Sequence, residues 1–307
     1  ARRRRRRGLA LARGGCATSP ARLQSSPLMS DLPPAPVPQE PDSNGLPRPA
    51  APADAAPSNG DGAAAATAPT GETHPPLPVL FLDEDFVAVS KPSGLLVHRD
   101  EHHPHAPAAL QTVRDQLQKH LYPFHRLDRA TSGILLFGFS RRAAAALQES
   151  LAAPDARKEY AALLRYPGSD ATLGAQWTCD RPLHDDKDVA RACRTDFAVV
   201  EEFDRCALAQ CLLHSGRYHQ IRRHANHCGR HVLGDTTHGK GRINAFFRER
   251  FGLDRLFLHL QRVVLRHPRT GEPLELVDPL PAALTAVLDR LRQVPPPQAD
   301  DPGSAAG

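Results

Sequence analysis

Regular hydrophobic patterning begins near residue 79. Val79-Leu80-Phe81-Leu82 and Phe86-Val87-Ala88-Val89 are short apolar runs split by Asp83-Glu84-Asp85, which predicts a β-hairpin. Lys91-Pro92-Ser93-Gly94 then turns the chain, and Leu95-Leu96-Val97 follows. Leu110, Val113, Leu117 and Leu121 recur at helical spacing. After a polar loop over 122–133, residues 134–139 read as a strand, and Ser140 is placed to cap an alanine-rich helix over 141–153. Further strands are predicted at 160–164, 196–203, 206–214 and 256–265, and basic helices near 217–228 and 243–250. Leu284, Val287, Leu288 and Leu291 predict a closing helix. Helices and strands without regular alternation predict an α+β fold rather than a doubly wound parallel sheet.

Composition restricts the folded part. Fifteen of the 30 prolines precede residue 79, in stretches of Pro, Ala, Ser, Asp and Gly that bury too little apolar surface to offset chain entropy. Residues 1–78 are therefore expected to be disordered, as is the tail 295–307, leaving 79–294 as one domain's worth of chain. The run Arg2 to Arg7 reads either as a basic arm or targeting peptide, or as an over-extended start. The second reading is preferred for 1–28, because Met29 is the sole methionine. The net charge of +5 is uneven: residues 1–30 carry eight arginines and no acid. No run approaches ~18 uninterrupted apolar residues, which excludes a membrane-spanning helix. The six cysteines form no Cys-x-x-Cys pair, so a zinc ribbon and a disulfide scaffold are not expected and a reducing cytoplasm is.

Two segments concentrate candidate chemistry. In His125-Arg126-Leu127-Asp128-Arg129-Ala130-Thr131-Ser132-Gly133 one carboxylate lies between two guanidiniums, an arrangement that keeps Asp128 anionic and suits a nucleophile or electrostatic stabiliser. A purely structural Asp–Arg pair fits the same triplet. The second segment, Gly216-Arg217-Tyr218-His219-Gln220-Ile221-Arg222-Arg223-His224, opens a stretch to Arg242 with six Arg/Lys against the single acid Asp235. Basic residues without compensating acids, interleaved with His and Tyr, are the footprint of a phosphate-backbone partner; a solvated helix face is the plain alternative. The histidines 98, 102, 103, 105, 227 and 231 lack an H-E-x-x-H arrangement or a cysteine at ligand spacing, so no metal is expected. No Gly-x-Gly-x-x-Gly, P-loop or Gly-x-Ser-x-Gly elbow occurs.

Taken in order, these segments resemble the RluA-type pseudouridine synthases. Lys91-Pro92-Ser93-Gly94-Leu95, His125 to Gly133, Lys158-x-Tyr160, Gly216 to Arg222, Gly234-Asp235, Leu258-His259 and His267-Pro268 with Gly271-Glu272-Pro273 carry the likeness across 79–294. The resemblance implies that family's catalytic fold: a mixed, mainly antiparallel sheet with flanking helices and a central cleft. It implies isomerisation of uridine to pseudouridine without metal or cofactor, with Asp128 as the essential aspartate, Arg222 as its partner and Tyr160 against the uracil. It places Arg126 in the gap left by a flipped nucleotide, and Lys91, Arg129, Arg217, His219, Gln220 and Arg223 against RNA. Val97-His98-Arg99, Gln111 to Gln116 and Arg222-Arg223-His224 lean towards the subgroup acting on uridine 65 of tRNA. A ribosomal RNA target and a non-catalytic RNA-binding role remain alternatives, and a monomer is expected.

Overall fold

The structure is a computed structural model that describes residues 74–99, 101, 103–166 and 174–294; the segment 1–28, most of the proline-rich stretch and the tail 295–307 lie outside the described residues. Order reaches back slightly before the expected boundary at 79: Leu77 is buried, and its backbone N–H and C=O both bond to the Gln116 side chain.

The predicted hairpin forms from β1 (Val79–Leu82) and β2 (Phe86–Lys91). Asp83 makes its turn by accepting the Asp85 and Phe86 N–H groups. Helix α1 (Ala109–Leu117) buries Val113 but stops where Gln118 adopts a left-handed backbone, so Leu121 is buried beyond the helix. A short strand β3 (Tyr122–Pro123), unforeseen in the polar loop, precedes β4 (Ser132–Gly138). Helix α2 (Arg141–Ala152) begins as expected, with the Ser140 hydroxyl accepting the Ala143 N–H. Next come β5 (Arg157–Arg165), β6 (Gln176–Cys179), the small hairpin β7 (Leu183–His184) and β8 (Ala190–Arg191), then β9 (Thr195–Phe203) and β10 (Cys206–Leu213). The chain continues through α3 (Gln220–His227), α4 (Gly241–Phe251), β11 (Leu258–Arg266), β12 (Pro273–Val277) and α5 (Ala282–Arg292).

One mixed, mainly antiparallel sheet runs in the order β1-β2-β4-β11-β5-β10-β9-β6, with β3 added to β4 and β12 to β11. The parallel contact is β11 with β4, where His259 and Leu260 lie opposite Ser132 and Gly133. Because side chains alternate along a strand, β5 sends Tyr160, Ala162 and Leu164 to one face and Leu163 to the other. The first face packs against Val113 of α1, Leu147 of α2 and Ile221 and Ala225 of α3; the second is covered by Phe247 and Phe251 of α4 and Leu284, Val287, Leu288 and Leu291 of α5. Strand β4 is buried along its whole length. Among the described residues no helix is long and apolar enough to cross a membrane.

Candidate active site

The loop before β4 is held by the turn after β2. Thr131 N–H closes a turn onto the Asp128 carbonyl at 3.0 Å. From the other side Gly94 N–H donates to the Arg129 carbonyl at 2.7 Å, Ser93 Oγ donates to the Ala130 carbonyl at 2.7 Å, and Arg129 Nε returns a bond to the Gly94 carbonyl at 2.9 Å. Gly133 then passes so close to the Leu260 backbone of β11, at φ +125°, that a Cβ would collide with it. Arg255 and His259 both bond to the Ser132 hydroxyl, at 2.7 and 2.9 Å. The two sequence segments around Lys91 and Asp128 are thus one backbone clamp, docked on the central strand.

Asp128 meets its cation from α3. Arg222 Nη1 donates to Asp128 Oδ2 at 3.1 Å, while Nε and Nη2 grip Asp235 at 2.7 and 2.8 Å. Arg222 is 5% exposed and Asp235 1%, so the bidentate pair lies in the interior and the single bond faces the cleft. Burial alone would raise the Asp235 carboxyl, but Arg222 and the His238 and Thr237 N–H groups outweigh it and hold it below the usual carboxylate range. Asp235 is fixed by a tight bend at Gly234, φ +78°, where a Cβ would strike the Arg255 carbonyl. Tyr160 of β5 lies on the wall, buried; burial, then the Asp128 charge and the neighbouring Cys211, push its phenol well above the usual tyrosine value. His219 Nε2 stands 3.7 Å from Asp128 Oδ2, and burial pulls its imidazole down to about 4 against the opposing pull of Asp128. Asp128, Arg222, Tyr160 and His219 line a cleft of about 210 Å³ together with Arg126, Thr131, Arg217, Tyr218 and Leu258.

A carboxylate bonded to a buried guanidinium, beside a phenol that burial keeps protonated, makes an acid–base arrangement at an open cleft. The RNA pseudouridylate synthase family model matches residues 85–227, which contain Asp128, Tyr160 and Arg222. The tRNA pseudouridine synthase C of Vibrio cholerae is 34% identical over 223 residues, covering 64% of this chain and 88% of the relative. The chain belongs to the RNA pseudouridylate synthase family. It is accordingly an isomerase that converts uridine to pseudouridine. The tRNA pseudouridine synthase C of Salmonella typhimurium is 36% identical over 226 residues, 64% of this chain and 83% of the relative. The structure titled Human RNA Pseudouridylate Synthase Domain Containing 4 shares the fold, with TM-score 0.58 and 22% identity over 71% of this chain and 94% of that one.

The structure corrects several residue expectations for this synthase. The flanking Arg129, read from the sequence as a cation beside Asp128, is engaged instead with the Gly94 carbonyl; Arg126 is exposed at the cleft. Lys91 does not face phosphate. It is fully buried, and its ammonium donates to the Pro92, Leu95 and Arg129 carbonyls at 2.9, 2.9 and 3.3 Å, tying the clamp from within. Burial, with Arg255 adding to it, brings its pKa down to about 7. Gln220 is likewise buried, at the cleft wall: it accepts from Ser215 Oγ and Arg217 N–H and donates to the Arg194 carbonyl and Thr195 Oγ1. Arg230, counted in the basic stretch, is buried against the Tyr166 and Trp177 rings at 4.1 and 4.4 Å. Arg217, Lys240 and Arg242 remain exposed, and Arg223 is half-buried with Nη1 on the His184 carbonyl. Asp235, noted in the sequence only as a landmark, is the site residue that charge patterning missed. Among the described residues the cluster with metal-ligand chemistry is Asp83, Asp85 and His267, already joined by an Asp83–His267 contact of 2.6 Å and an Asp85–Arg269 pair of 2.8 Å.

Two expected results follow from the clamp. Lys91→Met leaves buried carbonyls without a donor, which costs about 3 kcal/mol of stability. RNA affinity of the folded variant stays at the wild-type level; a weakened affinity with an unchanged melting temperature would restore the phosphate role. His125 accepts the Leu136 N–H through Nε2 at 2.9 Å, and burial, then Lys158, lowers its pKa from 6.5 to about 4. The unfolded chain therefore binds the extra proton between those values. Stability from this group is complete above pH 6.5 and declines as the pH falls towards 4, by about 2 kcal/mol at pH 5. Urea denaturation at pH 8 and pH 5 checks this, because His125→Gln should flatten the difference; equal pH slopes in both proteins rule it out.

Proposed function

We propose that this chain forms pseudouridine in tRNA, at uridine 65, with Asp128 as the essential carboxylate. The observation that carries this reading is the Asp128 carboxylate at the cleft, bonded to buried Arg222 with Tyr160 on the adjoining wall. Support for tRNA as the substrate class comes from the relatives named tRNA pseudouridine synthase C. In the rearrangement the C1′–N1 bond breaks, the uracil turns, and a C1′–C5 bond forms; C5 gives up its proton and N1 ends with one. Every bond change is internal to the nucleotide, so neither an oxidant nor a cofactor is required.

The target nucleotide must leave the helical stack to reach Asp128. Arg126, exposed at the rim, is positioned to occupy the vacated gap, while Arg129, Arg217 and Arg223 meet phosphates. Asp128 acts on the sugar or on the base, aligned by Arg222. We assign Tyr160 to packing against the uracil, since a phenol held protonated is a poor ready-made base. His219, neutral at physiological pH, gives the cleft a polar wall without competing with Arg222 for the carboxylate.

The test is release of tritium from unmodified tRNA carrying 5-tritiated uridine, followed by mapping of the product. Release with pseudouridine at position 65 supports the assignment. Release from ribosomal RNA alone would reassign the substrate, and RNA binding without release from any RNA would make the protein a non-catalytic binder.

A further inference from the structure

Tyr218 is the most exposed Phe, Tyr or Trp side chain among the described residues, at 59%. It lines the mouth of the cleft that holds Asp128 and follows the exposed Arg217. Its ring is not loose. One face stacks on the His219 imidazole, centroids 3.7 Å apart and planes at 21°. His219 in turn meets the His238 ring edge-on, at 5.1 Å and 85°, with 3.0 Å between its Nδ1 and His238 Nε2. The support beneath is rigid: His219 holds a left-handed backbone at φ 53° where α3 begins, and the next residue, Gln220, is anchored by its four side-chain hydrogen bonds. Three rings therefore form a fixed ladder that rises from beside Asp128 and ends in an uncovered tyrosine face.

A large aromatic face left open to water at a rigid position gains most when another flat, apolar surface covers it. Every nucleobase has such a surface, and stacking on it is tolerant of sequence. Extruding the target uridine also deprives its neighbours of a stacking partner within reach of this rim. We infer that Tyr218 is the stacking platform for the nucleobase beside the flipped uridine, with Arg217 on the adjoining phosphate. This rests on the RNA-modifying reading above. It adds a binding contact that neither the reaction chemistry nor the Asp128–Arg222 pair requires.

The experiment is steady-state tritium release from tRNA by the full chain and by Tyr218→Phe, Tyr218→Leu and, as a control away from the cleft, Phe246→Leu. Phe246 is 47% exposed on α4 and tests whether loss of any surface ring has the same effect. Tyr218→Leu is expected to raise KM about tenfold to a hundredfold, with kcat within about threefold of wild type. Tyr218→Phe keeps the ring and stays within about twofold in KM. Urea denaturation of the four proteins should agree, since the side chain is largely in water. A wild-type KM in Tyr218→Leu overturns the inference, as does equal impairment of the Phe and Leu variants, which would place the contact at the hydroxyl. A fall in kcat alone overturns it too, because the ring would then serve to hold His219. If the unaltered protein releases no tritium from any RNA, the parent reading fails instead.

Discussion

Asp128→Asn lowers turnover by at least about a thousandfold while leaving affinity for tRNA within about threefold of wild type. The substitution keeps the shape of the side chain and an oxygen able to accept from Arg222 Nη1, so the 3.1 Å contact has a successor. What disappears is the negative charge that the guanidinium faces, and with it the one carboxylate of the cleft that Arg222 aligns to act on C1′ or on the base. The surroundings survive the change, because Arg222 remains gripped by Asp235 through two further bonds. Tritium release gives kcat, and filter binding gives affinity. Undiminished release would remove Asp128 from the chemistry.

Asp235→Asn is expected to cost about 3 kcal/mol of stability and to reduce turnover by roughly ten- to a hundredfold. The guanidinium of Arg222 is buried with two carboxylates; neutralising the interior one leaves a buried charge supported only from the cleft side. Arg222 is then drawn towards Asp128, and the register that Asp235 imposed on it is lost. Removing both interior charges separates stability from catalysis. An Asp235→Asn/Arg222→Met double variant should regain part of the stability, because no unpaired buried charge remains and the Asn oxygen still accepts the Thr237 and His238 N–H groups. It should stay inactive, because Asp128 has lost its cation. If Asp235→Asn melts like wild type and works at full rate, Asp235 has no positioning role.

Periodicity was a good guide where elements are long and one-sided. The spacing of Leu284, Val287, Leu288 and Leu291 maps directly onto the buried face of α5, and Ser140 caps α2 as its chemistry demands. The elements left unseen are short. β3 and the β7–β8 hairpin have two residues per strand, β6 has four, and β12 follows Gly271 and Glu272 and opens on Pro273, a composition that reads as a turn. Such strands owe their existence to the neighbour they pair with, which a local pattern does not contain. At the site, the convergence of Asp128, Tyr160 and Arg222 was accessible through motif order. The errors were about depth: Lys91, Gln220 and Arg230 are polar or charged, yet buried, Lys91 and Gln220 against carbonyls and hydroxyls and Arg230 against two ring faces. Composition shows that such a residue needs partners and is silent on whether they are nucleic acid or protein. The same blindness hid Asp235, a single acid in a basic stretch whose importance comes from the arginine it turns inward.

The place of β11 in the sheet sets a timetable for synthesis. It lies between β4 and β5, yet it is made ~120 residues after β4 ends, which at roughly 5–20 residues per second is several seconds or more. Until then the nascent chain holds two halves of a sheet with open strand edges and an Asp128 loop lacking its seat on Leu260. Closing such a distant pairing late is slow, and unpaired edges in the interim invite association with other chains. Chaperone dependence during translation is the expected cellular consequence of placing a late strand at the centre, whereas refolding from denaturant, with β11 already present, is expected to avoid that interval.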